Sequence, residues 1–164
     1  MTGAVLVIGY GNVLRMDDGL GWRVAERLAD DARLSGATVI GRHQLTPELA
    51  FDVSQAGLVV FVDAALGPAA GSHAVERVRS GSGRPGSMSH QLDPAGLVAL
   101  ANELYDAAPE VFLVSVGAGS IEAGEDLTPA VAAALPAVLE TVVELIGEWT
   151  GRAEAMVPAG RDRA

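Results

Sequence analysis

Apolar residues in this chain fall into two alternating kinds of run. Short continuous ones, rich in β-branched side chains, lie at 4–8 (AVLVI), 58–62 (LVVFV) and 111–116 (VFLVSV). Such runs, interrupted only by Ser115, mark strands buried on both faces. A shorter strand is predicted at 37–41, and the alternation at 73–78 predicts a half-exposed edge strand. Between these runs the apolar spacing changes to three and four. A helix is predicted over 17–32, with Leu20, Val24, Ala25 and Leu28 on one face and Arg23, Glu26 and Arg27 on another. A short helix follows at 47–55, with Thr46 as N-cap and Pro47 at its first position. Asp93 caps a third at 94–105, with Leu97, Leu100, Ala101 and Leu104 inward. The last helix is predicted over 129–149, where Val131, Leu135, Val138, Leu139, Val142 and Leu145 share a stripe and Pro136 marks a kink. Residues 80–89 are Ser, Gly, Pro, Arg and Met, which reads as a mobile loop.

Strands alternating with helices imply α/β architecture: a three-layer sandwich with a mainly parallel, twisted sheet of about five strands and helices on both faces. A single domain is expected over 1–150, with a disordered polar tail over 151–164. In such sheets ligands bind beyond the carboxyl ends of the strands, so chemistry is to be sought in the residues that follow each strand.

Composition removes several chemistries. Among 164 residues there is no cysteine, and all 11 basic residues are arginine. Without lysine there is no P-loop and no Schiff base. Without cysteine there is no thiolate zinc site, iron–sulfur cluster or disulfide. The net charge of −10 and a pI near 4.6 oppose binding to nucleic acid or to an anionic membrane surface. No apolar run was expected to approach the roughly 20 residues of a membrane span, and no signal-peptide layout opens the chain, so the expected location is the cytoplasm.

Carboxylates and imidazoles remain, and they gather at strand ends. The first strand leads into Gly9-Tyr10-Gly11-Asn12-Val13-Leu14 and then Asp17-Asp18-Gly19-Leu20-Gly21. The second leads into Arg42-His43-Gln44 and the third into Asp63-Ala64, while Ser89-His90-Gln91 ends the loop. His73 lies within a strand pattern, away from this rim. Gly9-Tyr10-Gly11 is not a dinucleotide fingerprint, because Leu14 stands in the third glycine's place and two carboxylates occupy the helix start where a pyrophosphate would sit. Alone, Asp17 and Asp18 read as helix-start acids, Asp63 as a turn former and His90 as a surface residue. Together, two carboxylates and an imidazole on separate segments make an O,O,N set suited to nickel, zinc, manganese or iron.

The glycine-rich first motif, Asp17-Asp18-Gly19-Leu20-Gly21, Asp63-Ala64 and Ser89-His90-Gln91 closely resemble the maturation endopeptidases of nickel–iron hydrogenases, in order and in approximate spacing up to Asp126-Leu127-Thr128-Pro129. The resemblance implies removal of a C-terminal extension from a hydrogenase large-subunit precursor once nickel is in place. By motif matching, the catalytic and metal-contacting positions fall on Asp18, Asp63 and His90. It also implies no resident cofactor, the nickel arriving with the precursor, and a protein acting as a monomer. Where many members carry an Asp-Gly-Gly-Thr-like segment, this chain has Arg42-His43-Gln44-Leu45-Thr46-Pro47, as a subset does, which makes His43 a candidate for substrate recognition. Two other readings stay open: a nickel- and precursor-binding chaperone that does not cut, and a nucleotide-binding α/β domain.

Overall fold

A computed structural model describes residues 3–79 and 92–156. The predicted loop over 80–89, His90 and residues 157–164 of the predicted tail lie outside the described residues. Five strands, β1 (Ala4–Tyr10), β2 (Ala37–Arg42), β3 (Ala56–Ala65), β4 (His73–Arg77) and β5 (Glu110–Gly117), form one sheet in the order β2-β1-β3-β5-β4. All pairings are parallel except β4 with β5. The helices are α1 (Leu20–Ala29), α2 (Leu49–Ser54), α3 (Pro94–Tyr105) and α4 (Pro129–Ala155). The predicted fold class is the observed one.

Side-chain alternation along the strands divides the core into two layers. Val5 and Val7 of β1, Leu58, Val60 and Val62 of β3, and Val114 and Val116 of β5 pack with α1 and α4. Leu6 and Ile8, Val59 and Phe61, and Val111 pack on the opposite face with α2 and α3. Continuous apolarity in the central strands is thus the sum of two interleaved period-two patterns, each buried under its own helix pair.

The first and last helices depart from their predicted bounds. The expected helix over 17–32 is broken into a 3₁₀ turn at Met16–Gly19, α1, and a second 3₁₀ turn at Ala32–Leu34. Met16 takes a positive φ of 47°, which an α-helical start does not accommodate, and the Asp31 side chain accepts from the Arg33 amide to begin the later turn. The last helix continues through Ala155, so the first residues of the predicted 151–164 tail are helical. Trp149 packs against the core beside Gly57, and Arg152 reaches Glu110 at 3.4 Å, which holds that end down. Lastly, α4 is the one helix among the described residues long and apolar enough to cross a membrane, with a mean hydropathy of 1.8, which corrects the expectation that no run approaches that length. Its Val131, Leu135, Val138, Val142 and Ile146 form a buried stripe in the first core layer, and 28% of its most apolar window is buried.

The motif glycines are explained by close approach of backbones. A Cβ on Gly9 would stand 1.9 Å from the Gly21 carbonyl oxygen, and one on Gly21 would stand 2.3 Å from the Val62 carbonyl oxygen. The start of α1 therefore lies directly on the carboxyl ends of β1 and β3. Gly9→Ala is expected to destabilise the protein by roughly 3 kcal/mol in urea unfolding, at the upper end of overpacking costs. A loss under 1 kcal/mol would show that this contact is not tight.

Candidate functional site

The sheet register builds one side of the site. Ile8 pairs with Phe61 and Gly9 with Val62, so Tyr10 and Asp63 follow as the next residues on neighbouring strands. Both continue the parity of Ile8 and Phe61 and project on the α2/α3 side, beyond the end of that core layer. Asp63 lies inside β3, not after it, because that strand continues to Ala65 and pairs Asp63 with Ser115 of β5. A strand residue paired along β5 is a firmer platform than the turn position expected. The Tyr10 ring meets Phe61 edge-on, with centroids 6.4 Å apart.

The other side comes from the loop after β1. Gly11, at φ 143°, turns the chain where a Cβ would lie 1.8 Å from the Asp18 carbonyl oxygen. The turn brings the Asn12 amide to the Asp18 carboxylate at 3.0 Å. Tyr10, Asn12, Arg15, Asp18, His43, Asp63 and Leu92 line one cavity of about 230 Å³ at the carboxyl ends of β1, β2 and β3. This is where the strand order reverses direction, the usual place for a ligand in an open α/β sheet.

The structure thus brings Asp18, Asp63 and His43 to one cavity. His90 lies outside the described residues, although Leu92, two residues on, is part of the lining. Among the described residues, no group of three or more His, Asp or Glu side chains could hold a metal ion. His73 is elsewhere, its Nε2 3.0 Å from the Thr141 hydroxyl of α4. Tyr10 and Arg15 were not singled out from sequence. The parity of 8 with 10 and of 61 with 63 was the available signal for Tyr10.

Asp17 has a different task from its neighbour. It is fully buried. Its carboxylate accepts from the amides of Gly119, Ser120 and Thr128 at 2.8, 3.2 and 2.8 Å, and from the Thr128 hydroxyl at 2.7 Å. It does not cap its own turn, as a helix-start reading would have it. It ties that turn to the β5–α4 loop and to the residue before α4. The backbone reinforces the link through Met16 N to Gly124 O at 2.8 Å, Asp17 N to Ser120 O at 3.1 Å and Gly124 N to Leu14 O at 2.9 Å. Arg15 Nε donates to the Ile121 carbonyl and Arg23 donates to that of Glu125.

The two acids titrate in opposite senses. Burial alone would raise Asp17, but the donors of Thr128, Gly119 and Ser120 outweigh it and hold its carboxyl below the usual range. Asp63 is pushed up to about 7, first by removal of water from its half-buried carboxylate and then by the charge of Asp18. The neighbouring Tyr10 phenol and the Ala64 amide, which donates to Oδ1, oppose that rise without cancelling it.

No protein-family model matches the chain, and no curated protein sequence matches it. Solved structures do. The hydrogenase maturating endopeptidase HybD from E. coli superposes with a TM-score of 0.71 at 24% identity, over 88% of this chain and 93% of that one. The [NiFe] hydrogenase maturation protease HycI from Thermococcus kodakarensis gives 0.72 at 22% identity, over 88% and 92%. A hydrogenase 2 maturation peptidase from a Thaumarchaeota archaeon gives 0.66 at 26% identity, over 88% and 98%. The chain is an open α/β domain with its site at the sheet's switch point. More narrowly, its fold is that of the hydrogenase maturation endopeptidases, as the strand-end motifs indicated.

Two stability measurements check this site. Asp17→Ala should destabilise the protein by about 3 kcal/mol or more, since three amides and a hydroxyl lose a charged acceptor. A loss near zero would remove the clamp from the account. For Asp63, the folded protein takes up a proton that the unfolded chain releases between about pH 4 and pH 7. The stability this group contributes is fully present below the unfolded value and declines as pH rises through about 7. In chelator, Asp63→Asn should therefore gain stability relative to the native chain between pH 5 and pH 8. A pH-independent difference would contradict the raised value.

Proposed function

We propose that this protein is an endopeptidase that removes the C-terminal extension of a nickel–iron hydrogenase large-subunit precursor after nickel insertion, and that it recognises the nickel held by that precursor. One observation carries the reading: Asp18, in the turn that follows β1, and Asp63, within β3, line one cavity at the switch point of a hydrogenase maturation endopeptidase fold. Two convergent carboxylates offer hard oxygen donors with room for a ligand that brings the rest of its coordination with it. In this reading Asp18, Asp63 and His90 meet the nickel, the protein has no metal of its own, and it works as a cytoplasmic monomer.

Hydrolysis adds water to the scissile carbonyl, breaks the C–N bond and places the proton on the leaving amine. Positioning the bond against fixed groups is the contribution a site of this kind makes most directly, and it is worth several kcal/mol of barrier. Asp17 is not the base in this scheme. It is fully buried, its carboxylate takes four donors inside the protein, and it is not among the residues that line the cavity. His43 lines the cavity from the β2 side and is proposed to contact the precursor. The two aspartates also weigh against a phosphate-binding alternative, because they set negative charge where a nucleotide would place its own.

Incubation with nickel-loaded and nickel-free precursor, followed by intact mass, tests the reading. A mass loss in the nickel-loaded sample alone is expected, and alanine at Asp18, Asp63 or His90 should slow it at least a hundredfold. Equal cleavage of both precursors would sink nickel recognition. Stable binding without any mass loss would instead make the protein a chaperone.

A further inference from the structure

We infer that Tyr10 is a positioning residue whose hydroxyl fixes the Asp63 carboxylate at the cavity wall. The inference rests on the proposed role of Asp63 and adds a residue to it. Parallel register puts the two side chains side by side on the same face of β1 and β3, one position beyond the Gly9–Val62 pair. The Tyr10 phenol and the Asp63 carboxylate are near enough to act on one another electrostatically, and the Ala64 amide donates to Asp63 Oδ1 at 2.8 Å. The Tyr10 hydroxyl, added to that amide as a second donor, leaves the carboxylate little rotational freedom in this inference. Both side chains line the cavity.

A packing role alone does not account for the residue. The edge-on contact with Phe61 needs only a ring, and phenylalanine would supply it without placing a hydroxyl in a wall that water enters poorly. Burial and the nearby charges of Asp63, Asp93 and Asp18 disfavour ionisation of the phenol, so the hydroxyl stays a donor. Carboxylates that contact metals are commonly held by such donors, and removing one typically costs 10- to 100-fold in affinity or activity.

Tyr10→Phe keeps the ring and deletes the hydroxyl. In the metal-free protein, three-bond couplings of the Asp63 side chain should report one rotamer in the native chain and an average in the variant, with urea unfolding little changed. Unaltered couplings would overturn the inference, whatever the protein's activity. Cleavage of nickel-loaded precursor should fall about tenfold in kcat, with KM nearly constant. Averaged couplings with undiminished cleavage would overturn the positioning role and leave the proposed function standing. Failure of the native chain to cleave would refute that function, and the couplings would still decide how Asp63 is held.

Discussion

Asp17 accepts four hydrogen bonds from the loop that leads into α4, and the geometry of the site depends on that link. The segment it ties down contains Met16 at positive φ and carries Asp18 on the next residue. A non-glycine residue in the left-handed region costs on the order of 1–2 kcal/mol and persists only where its surroundings hold it. Here the hold is the buried carboxylate, the Met16–Gly124 and Asp17–Ser120 backbone bonds, and Arg15 on Ile121. With Asp17 turned inward, Asp18 is left facing the cavity. Two adjacent aspartates thus take opposite roles because one accepts from the protein interior and the other lines the cavity.

The sheet supplies the second fixed point. Asp63 is paired within β3 against β5, and its direction follows from the same alternation that puts Phe61 in the core. The motif glycines let the first turn of α1 lie against the ends of β1 and β3, which sets the distance between the strand-borne and loop-borne groups. A rigid sheet edge and a pinned turn are what a reaction governed by placement requires. The chain has no cysteine, so on the proposed reading its own donors to nickel are limited to carboxylate and imidazole.

Much of this was legible in the residues. The continuous apolar strands, the period of α4 and the strand-end acids led directly to the fold and to Asp18 and Asp63 at one rim. Asp17 was not legible, because its partners Gly119, Ser120 and Thr128 lie more than a hundred residues away and no local pattern announces them. The helix start was misplaced for the same reason: a 3₁₀ turn fastened by distant donors carries the same polar residues as an ordinary N-terminal turn. Tyr10 looked like part of a glycine motif until the register set it beside Asp63. The end of α4 depends on Trp149 at the core and Arg152 on Glu110, both tertiary contacts.

The central claim is that the cavity between the β1 loop and the end of β3 is where nickel is met. Titrating nickel(II) into the isotopically labelled, metal-free protein tests it directly, because a paramagnetic ion broadens the amide signals nearest to it. The account predicts that Asn12, Asp18 and Ala64 broaden first, while Gly36 and Ala37 at the opposite end of the sheet stay sharp, and that Asp18→Ala with Asp63→Ala abolishes the pattern. Broadening centred elsewhere, or unaffected by removing both aspartates, would contradict it.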